Sequence, residues 1–230
     1  MRRDFLDLRE CSKEDFLELL DKHDFIIVKP ASEAGGAGLE KLSSNEARNQ
    51  YDRLIDQGKY VVEEVAKQHS KMDLINSSSV NTLRICTCIN DDGEASILFM
   101  ALKIGRKGSF IDNLSAGGFY TKLSMDGVIT HPCYTSQDYG KVYTHHPDTG
   151  MEFIGFQVPM IEEVKDFALA LARKNPEARY VGWDIAIAQD GPVLIEGNER
   201  PGVNLAQTYI HSDTRTGMRD QYEKVLSVKL

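Results

Sequence analysis

The segment GWDIAIAQDGPVLIEGNERPG, residues 182–202, constrains this chain more than any other stretch. Two apolar runs flank an Asp-Gly turn signal, so they read as an antiparallel hairpin. In the first run Trp183, Ile185 and Ile187 share one face, and Asp184, Ala186 and Ala188 share the other. In the second, Leu194, Glu196 and Asn198 share a face. Register decides whether the acids meet. A two-residue Asp-Gly loop pairs Asp184 with Gly197 and turns Glu196 away. A three-residue loop, Asp190-Gly191-Pro192, pairs Asp184 with Asn198 and Ala186 with Glu196. It also keeps Pro192, which has no N–H, out of the ladder. The three-residue loop is the register expected.

In that register two carboxylates and an amide oxygen converge on a face otherwise made of small residues. The donors suit a hard cation: Mg²⁺ takes oxygen ligands at ~2.0–2.1 Å and typically uses one or two carboxylates plus substrate phosphates. Histidine and cysteine are missing at metal spacing here, which argues against zinc at this hairpin. The alternative for the same residues is a solvated hairpin face, where acids are common. Leu194 and Ile195 before the acid, and Gly197 and Gly202 around it, look instead like a buried strand end.

The rest of the chain supplies groups of opposite charge. FIIVKP, residues 25–30, reads as a buried strand carrying Lys29 into a loop with Gly35, Gly36 and Gly38. Glycines let backbone N–H groups approach phosphate oxygens, and a lysine adds a point charge. The lysine precedes the glycines, so this is not the common phosphate-loop motif, and a flexible turn with a surface lysine is the plainer alternative. Arg84 lies inside the apolar strand VNTLRICTCI, and Lys103 and Arg106 end the next strand, ASILFMALKIG. Singly, such residues often snorkel to water. Together with an acidic hairpin and a glycine loop they are what a nucleoside triphosphate cleft requires. Glu63 and Glu64 end the strand YVVEEV, where an acid can accept from a ribose hydroxyl or an adenine amine.

Further elements follow from periodicity. Ser12 with Asp15 caps an amphipathic helix carrying Phe16, Leu19 and Leu20. Ser44 opens a second, with Ala47, Tyr51, Leu54 and Ile55 on one face and Gly58 at its end. Asn90-Asp91-Asp92-Gly93 joins the two long strands as a hairpin turn. A loop-rich region runs from Arg106 to about Gly150, and its His145-His146-Pro147 run is expected to be surface structure rather than a catalytic base. Pro159 starts a strong helix with Ile161, Val164, Phe167, Ala168 and Leu171 on one face, ended by Asn175-Pro176. The tail after Gln207 is polar, with a helix expected near its end. Helices and strands are mixed without regular βαβ alternation, which points to α+β rather than a doubly wound sheet.

At 230 residues the chain is long enough for one sizeable domain or two lobes sharing a cleft. A net charge of −8 argues against a general binder of nucleic acid or membrane surfaces. No apolar run approaches the ~20 residues of a membrane span. The N-terminus lacks the apolar core of a secretory signal. Cys11, Cys86, Cys88 and Cys133 include no C-x-x-C pair, so free thiols in a cytoplasmic protein are expected.

With these elements in order, the chain resembles the ATP-grasp superfamily, and most of all its sugar-transfer-associated branch. The stretches that carry the likeness are FIIVKPASEAGGAGL, VVEEVAKQH, SSVNTLRI, IGRKGSFIDNLSAGG, HPDTG and VGWDIAIAQDGPVLIEGNERPG. They run from about Phe25 to Gln207. D-alanine–D-alanine ligases and ribosomal-protein glutamate ligases are similar in arrangement.

The resemblance implies an α+β ATP-grasp fold in one domain, residues 1–230. Its smaller glycine-loop lobe would be 1–64 and its larger lobe, with the metal hairpin, 65–230, the two gripping ATP between them. It implies ATP and Mg²⁺ as cofactors. Lys29, Gly35, Gly36 and Lys103 would serve the phosphates. Glu63, Glu64 and the backbone near Val65 and Ala66 would form the adenine and ribose hinge, with His69 near the ribose. Asp184, Glu196 and Asn198 would hold the metal, and Arg84, Arg106 and Asn113 would face the acceptor or the transferred phosphoryl group. Gly117 and Gly118 match a Gly-Gly that follows the Asp-Asn pair.

The implied reaction is attack of a carboxylate on the γ-phosphate, giving an acyl phosphate that an amine or other nucleophile then displaces. The implied partners are a small-molecule or peptide carboxylate, an amine acceptor, and a partner chain or sugar-transfer machinery. The other readings of the same cleft are a small-molecule or sugar kinase and a non-catalytic ATP-binding scaffold. Family members usually carry a further region before the first lysine. Only 28 residues precede Lys29 here, so a truncated or minimal form, or a region supplied by a partner, is expected.

Overall fold

The structure is a computed structural model that describes residues 3–31, 38–138, 140–199, 201–208, 211 and 217–226. The chain divides into two compact units, Met1–Lys67 and Gln68–Leu230.

The smaller unit is an antiparallel sheet under helices. Its elements are β1 (Phe5–Asp7), α1 (Lys13–Lys22), β2 (Phe25–Lys29), β3 (Glu40–Ser43), α2 (Ser44–Ala47), α3 (Tyr51–Asp56) and β4 (Val61–Glu64). The strand order is β1-β4-β2-β3. Helix α1 begins as the sequence indicates, with a capping box in which Ser12 and Asp15 satisfy each other's backbone N–H. Phe16, Leu19 and Leu20 pack with Ile26, Val28, Leu54 and Val62 into one core. The helix expected from Ser44 to Ile55 is two short ones. Ser43, not Ser44, makes the capping box, with Glu46. The Ser44 hydroxyl instead donates to the His23 carbonyl.

The larger unit holds α4 (Ser70–Asp73), β5 (Leu83–Ile89), β6 (Ala95–Ile104), β7 (Phe119–Lys122), α5 (Ile161–Lys174), β8 (Tyr180–Ala188), β9 (Gly191–Glu199) and α6 (Arg219–Leu226). Its sheet is antiparallel throughout, in the order β7-β6-β5-β8-β9. Alternation along the strands divides the two faces. Leu83, Ile85, Leu102, Trp183 and Ile185 point toward α5, whose Val164, Ala168 and Ala172 are buried against them. Cys86, Cys88, Phe99, Ala101 and Tyr120 lie on the other face, and Tyr222, Val225 and Leu226 of α6 pack there. Arg84, Lys103 and Asp184 belong to this second face by register and by the contacts described below. The Trp183 indole N–H donates to Thr87 Oγ1 at 2.9 Å, satisfying the one polar atom of a large core side chain.

The register of the β8–β9 hairpin corrects the sequence reading. The loop is the two residues Gln189 and Asp190, because Ala188 pairs with Gly191 and Ile187 with Pro192. Pro192 therefore sits inside the ladder, which it can do because β9 is an edge strand. A bulge then shifts the pairing between Asp184 and Ile185, after which Asp184 lies opposite Glu196 and Gly182 opposite Asn198. The extra residue, Ile195, corrects the phase that an even loop alone leaves wrong. The acids meet through a bulge and not through an odd loop.

All four cysteines are unpaired. No helix among the described residues is long and apolar enough to cross a membrane.

Candidate active site

The centre of the larger unit's polar face is Asp184, whose side chain is 1% exposed. Arg84 is its cross-strand neighbour, and its guanidinium donates to both carboxylate oxygens through Nε and Nη2, the latter at 3.0 Å. Lys103 Nζ donates to Oδ2 at 2.9 Å. Glycine at position 182 makes this possible, since a Cβ there would lie 3.0 Å from Arg84 Cδ and 2.8 Å from Pro201 Cβ. Burial alone works to raise the Asp184 pKa, but Lys103 and then Arg84 outweigh it and hold the carboxyl below its ordinary value. The same pairing keeps Lys103 protonated. Its desolvation favours the neutral amine, and Asp112 and Asp184 reverse that.

Lys103 links this centre to the Asp112-Asn113 loop. Its Nζ lies 3.5 Å from Asp112 Oδ1 and 3.4 Å from Asn113 Oδ1. Asp112 is fixed in turn by Thr82, whose backbone N–H and hydroxyl donate to Oδ2 at 2.8 and 2.6 Å. The Gly-Gly pair lets this loop close. Gly117 adopts φ +85°, and a Cβ on Gly118 would come within 2.3 Å of the Asp112 carbonyl oxygen. Asp112 is the neighbour of Lys103 that sequence reasoning passed over, although it stands beside Asn113 in the same motif.

Glu196 completes the hairpin corner. The Asn198 amide donates to Glu196 Oε1 at 3.2 Å and to the Gly182 carbonyl at 3.3 Å. Crowding by protein atoms, then the adjacent Asp184 carboxylate, push the Glu196 carboxyl above its ordinary value, although part of the side chain reaches solvent. Gly197 between them lies against the Trp183 ring, where a Cβ would be 2.9 Å from Cζ3. One carboxyl is thus held ionised by two cations while its neighbour favours its proton. A cation entering this corner supplies the charge that ionises the second acid. The donor set is oxygen only, which suits Mg²⁺.

Other expected site residues of this unit are engaged elsewhere. Arg106 pairs with Asp148 through Nε at 2.8 Å and Nη2 at 3.2 Å and lies over the Phe119 ring. It is not among the groups gathered at Asp184. His69 caps α4, its Nδ1 accepting the Lys71 N–H at 3.0 Å. His146 is buried rather than on the surface as expected. Its Nε2 lies 3.0 Å from the Gly105 carbonyl oxygen, and burial lowers its pKa.

In the smaller unit, Lys29 Nζ lies 3.0 Å from Glu63 Oε2, and Arg3 lies 2.8 Å from Glu63 Oε1. Glu63 is therefore already shared by two cations. Glu64, next along β4, projects from the opposite face of the sheet, and His23 Nε2 lies 3.6 Å from its carboxylate. Val65 borders a cavity of about 410 Å³ together with His23, Phe25 and Ser44. Ala66 is exposed to an intermediate degree and has no regular structure. Gly35 and Gly36 lie outside the described residues.

Comparison with known proteins bears on the family and the fold. A model of the family "Sugar-transfer associated ATP-grasp" matches residues 11–216. Among solved structures, the chain is similar to D-alanyl-alanine synthetase A from Vibrio cholerae O1 biovar eltor str. N16961. The identity is 14% and the TM-score 0.51, over 100% of this chain and 56% of that one. It is also similar to the D-alanine-D-alanine ligase from Coxiella burnetii, at 10% identity and TM-score 0.47, over 97% of this chain and 47% of that one. The chain thus spans about half the length of the solved structures it matches. A search of curated proteins gives no match.

Proposed function

Because the chain belongs to the sugar-transfer-associated ATP-grasp family, we propose that it is a Mg·ATP-dependent ligase. It activates a carboxylate as an acyl phosphate and joins it to an amine or similar nucleophile. The observation that carries this reading is the meeting of Asp184 and Glu196 on one face of the β8–β9 hairpin, with Arg84 and Lys103 against Asp184.

Asp184, Glu196 and Asn198 would hold Mg²⁺. When bound, the ion supplies positive charge to phosphate oxygens as negative charge redistributes during phosphoryl transfer. The protein's own contribution is electrostatic and positional, since phosphoryl transfer needs little covalent help. As Asp184 turns oxygens toward an ion, Arg84 and Lys103 regain N–H donors for an incoming phosphate or carboxylate. A guanidinium is suited to bind either through two parallel hydrogen bonds. Asn113, beside Lys103, adds an amide that can orient the acceptor. In the smaller unit, Lys29 would exchange Glu63 for a phosphate oxygen.

Mass spectrometry of products tests the reading. The full chain is incubated with Mg·ATP and a mixture of carboxylates and amines. The expected result is ADP, phosphate and a condensed product lighter by one water than its two precursors. ADP together with a stable phosphorylated acceptor overturns ligation in favour of a kinase. Bound ATP without ADP under every acceptor pair overturns catalysis in favour of a scaffold.

A further inference from the structure

Three side chains meet at one end of the smaller unit's sheet, where Glu64 projects from the face opposite Glu63. Asp4 precedes β1, His23 caps the C-terminus of α1, and Glu64 ends β4. The backbone holds them together. The Glu64 N–H donates to the Asp4 carbonyl at 3.0 Å. The Ser44 hydroxyl fixes the His23 carbonyl, and the Ser44 N–H donates to the Asp24 carbonyl at 2.9 Å.

His23 Nε2 lies 3.0 Å from Asp4 Oδ2 and 3.6 Å from Glu64 Oε2, and all three donor atoms are within 4.8 Å of one another. Metal bonds of about 2.0–2.2 Å at tetrahedral or octahedral angles put neighbouring donors about 2.8–3.5 Å apart. The two edges through His23 are already close to that spacing. The third, between the two carboxylates, is no longer than 4.8 Å, and the Asp4 side chain is 52% exposed and has room to turn.

Charge supports the same conclusion. Glu63 next door is paired with Lys29 and Arg3. Among the described residues, neither Asp4 nor Glu64 is ion-paired to a lysine or arginine, and both carboxylates face the His23 ring nitrogen. An imidazole among the donors favours a first-row transition ion over Mg²⁺.

We propose that Asp4, His23 and Glu64 bind a divalent first-row transition ion, zinc foremost, at a site separate from the Asp184–Glu196 corner. The ion pins the start of the chain to the end of β4 and to the α1–β2 connection. The proposal goes beyond the ligase reading and does not depend on it.

Cobalt is the spectroscopic probe. The full chain is stripped with chelator and titrated with Co²⁺, and the visible absorption of low-symmetry cobalt is recorded. Its displacement by Zn²⁺ and the zinc-dependent rise in Tm are then measured. The expected result is one equivalent of absorbing cobalt, displaced by one equivalent of zinc. It is lost in His23→Ala and in Asp4→Asn, whose exposed position makes it safe for folding, and it is retained in Glu196→Ala. A wild type without cobalt absorption, or absorption equal in His23→Ala, overturns the proposal and leaves His23 as an ion-pair bridge only. The Mg·ATP response is measured on the same samples, so failure of the ligase reading is seen separately.

Discussion

Two corners of this molecule gather carboxylates, and they are built on opposite plans. At Asp184 in the larger unit the acid is buried and arrives neutralised by Arg84 and Lys103, with the Glu196 carboxylate and the Asn198 amide beside it and no imidazole. At Asp4 and Glu64 in the smaller unit the acids are partly exposed, and an imidazole stands between them. The first plan suits a hard ion that comes and goes with phosphates, because resident cations stabilise the empty state. The second suits a softer ion that stays, because nothing among the described lysines and arginines substitutes for it. Donor type and burial, more than the number of acids, separate the two.

The largest expected effect breaks the first corner. Asp184→Ala leaves Arg84 and Lys103 facing each other without their shared anion, and loss of one partner from such a buried set costs about 3–5 kcal/mol. Urea unfolding measures it. A loss below 1 kcal/mol would mean the cations relax to water, and the two corners would then be alike.

Next in size are the ligand responses, which cross between corners if the distinction is false. Saturating ligand at about 100 times Kd stabilises by about 2.7 kcal/mol. Mg·ATP is expected to raise the Tm of His23→Ala as much as that of wild type, and Zn²⁺ to raise the Tm of Glu196→Ala as much as that of wild type. Loss of both responses in either variant would merge the sites.

A smaller effect reads the acid pair by pH. The Glu196 pKa is raised in the folded protein, so the folded state holds its proton more tightly than the unfolded chain does. That stability is present below the ordinary carboxylate range and is lost as pH rises through the folded value. Glu196→Gln keeps the neutral form, so without metal it should melt above wild type at pH 7 and with it near pH 4. A variant that melts lower at pH 7 contradicts the assignment.

The smallest expected effect is at Arg106–Asp148, outside both corners. Arg106 holds Asp148 at a pKa of about 2. Asp148→Asn should cost about 1 kcal/mol or less near neutral pH, as for a largely solvated pair. The difference should fade as pH drops from 3.8 toward 2.

Much of this was legible in the residues. Periodicity located α1, α5 and the four long strands, because those elements bury one face and repeat it over many residues. The short edge strands β1, β3 and β7 have three or four residues each and carry too little pattern. The Asp184–Glu196 pair was legible as chemistry but not as register, since a bulge at Ile195 leaves no compositional mark. The motif likeness pointed to Asn113 while the tighter link to Thr82 ran through Asp112, a choice that only the loop's geometry makes. Asp4, His23 and Glu64 come from three separate elements. No spacing rule joins them, and the fold alone does.

The central claim is that Asp184 and Glu196 hold a metal that serves bound ATP. Its most direct test is the melting temperature of the full chain with and without Mg·ATP, for wild type and Glu196→Ala. The account predicts a clear rise in wild type that disappears in the variant, with the two proteins melting alike in the absence of ligand to within a few degrees. An equal rise in both would contradict it, because ATP would then be held without the hairpin carboxylate.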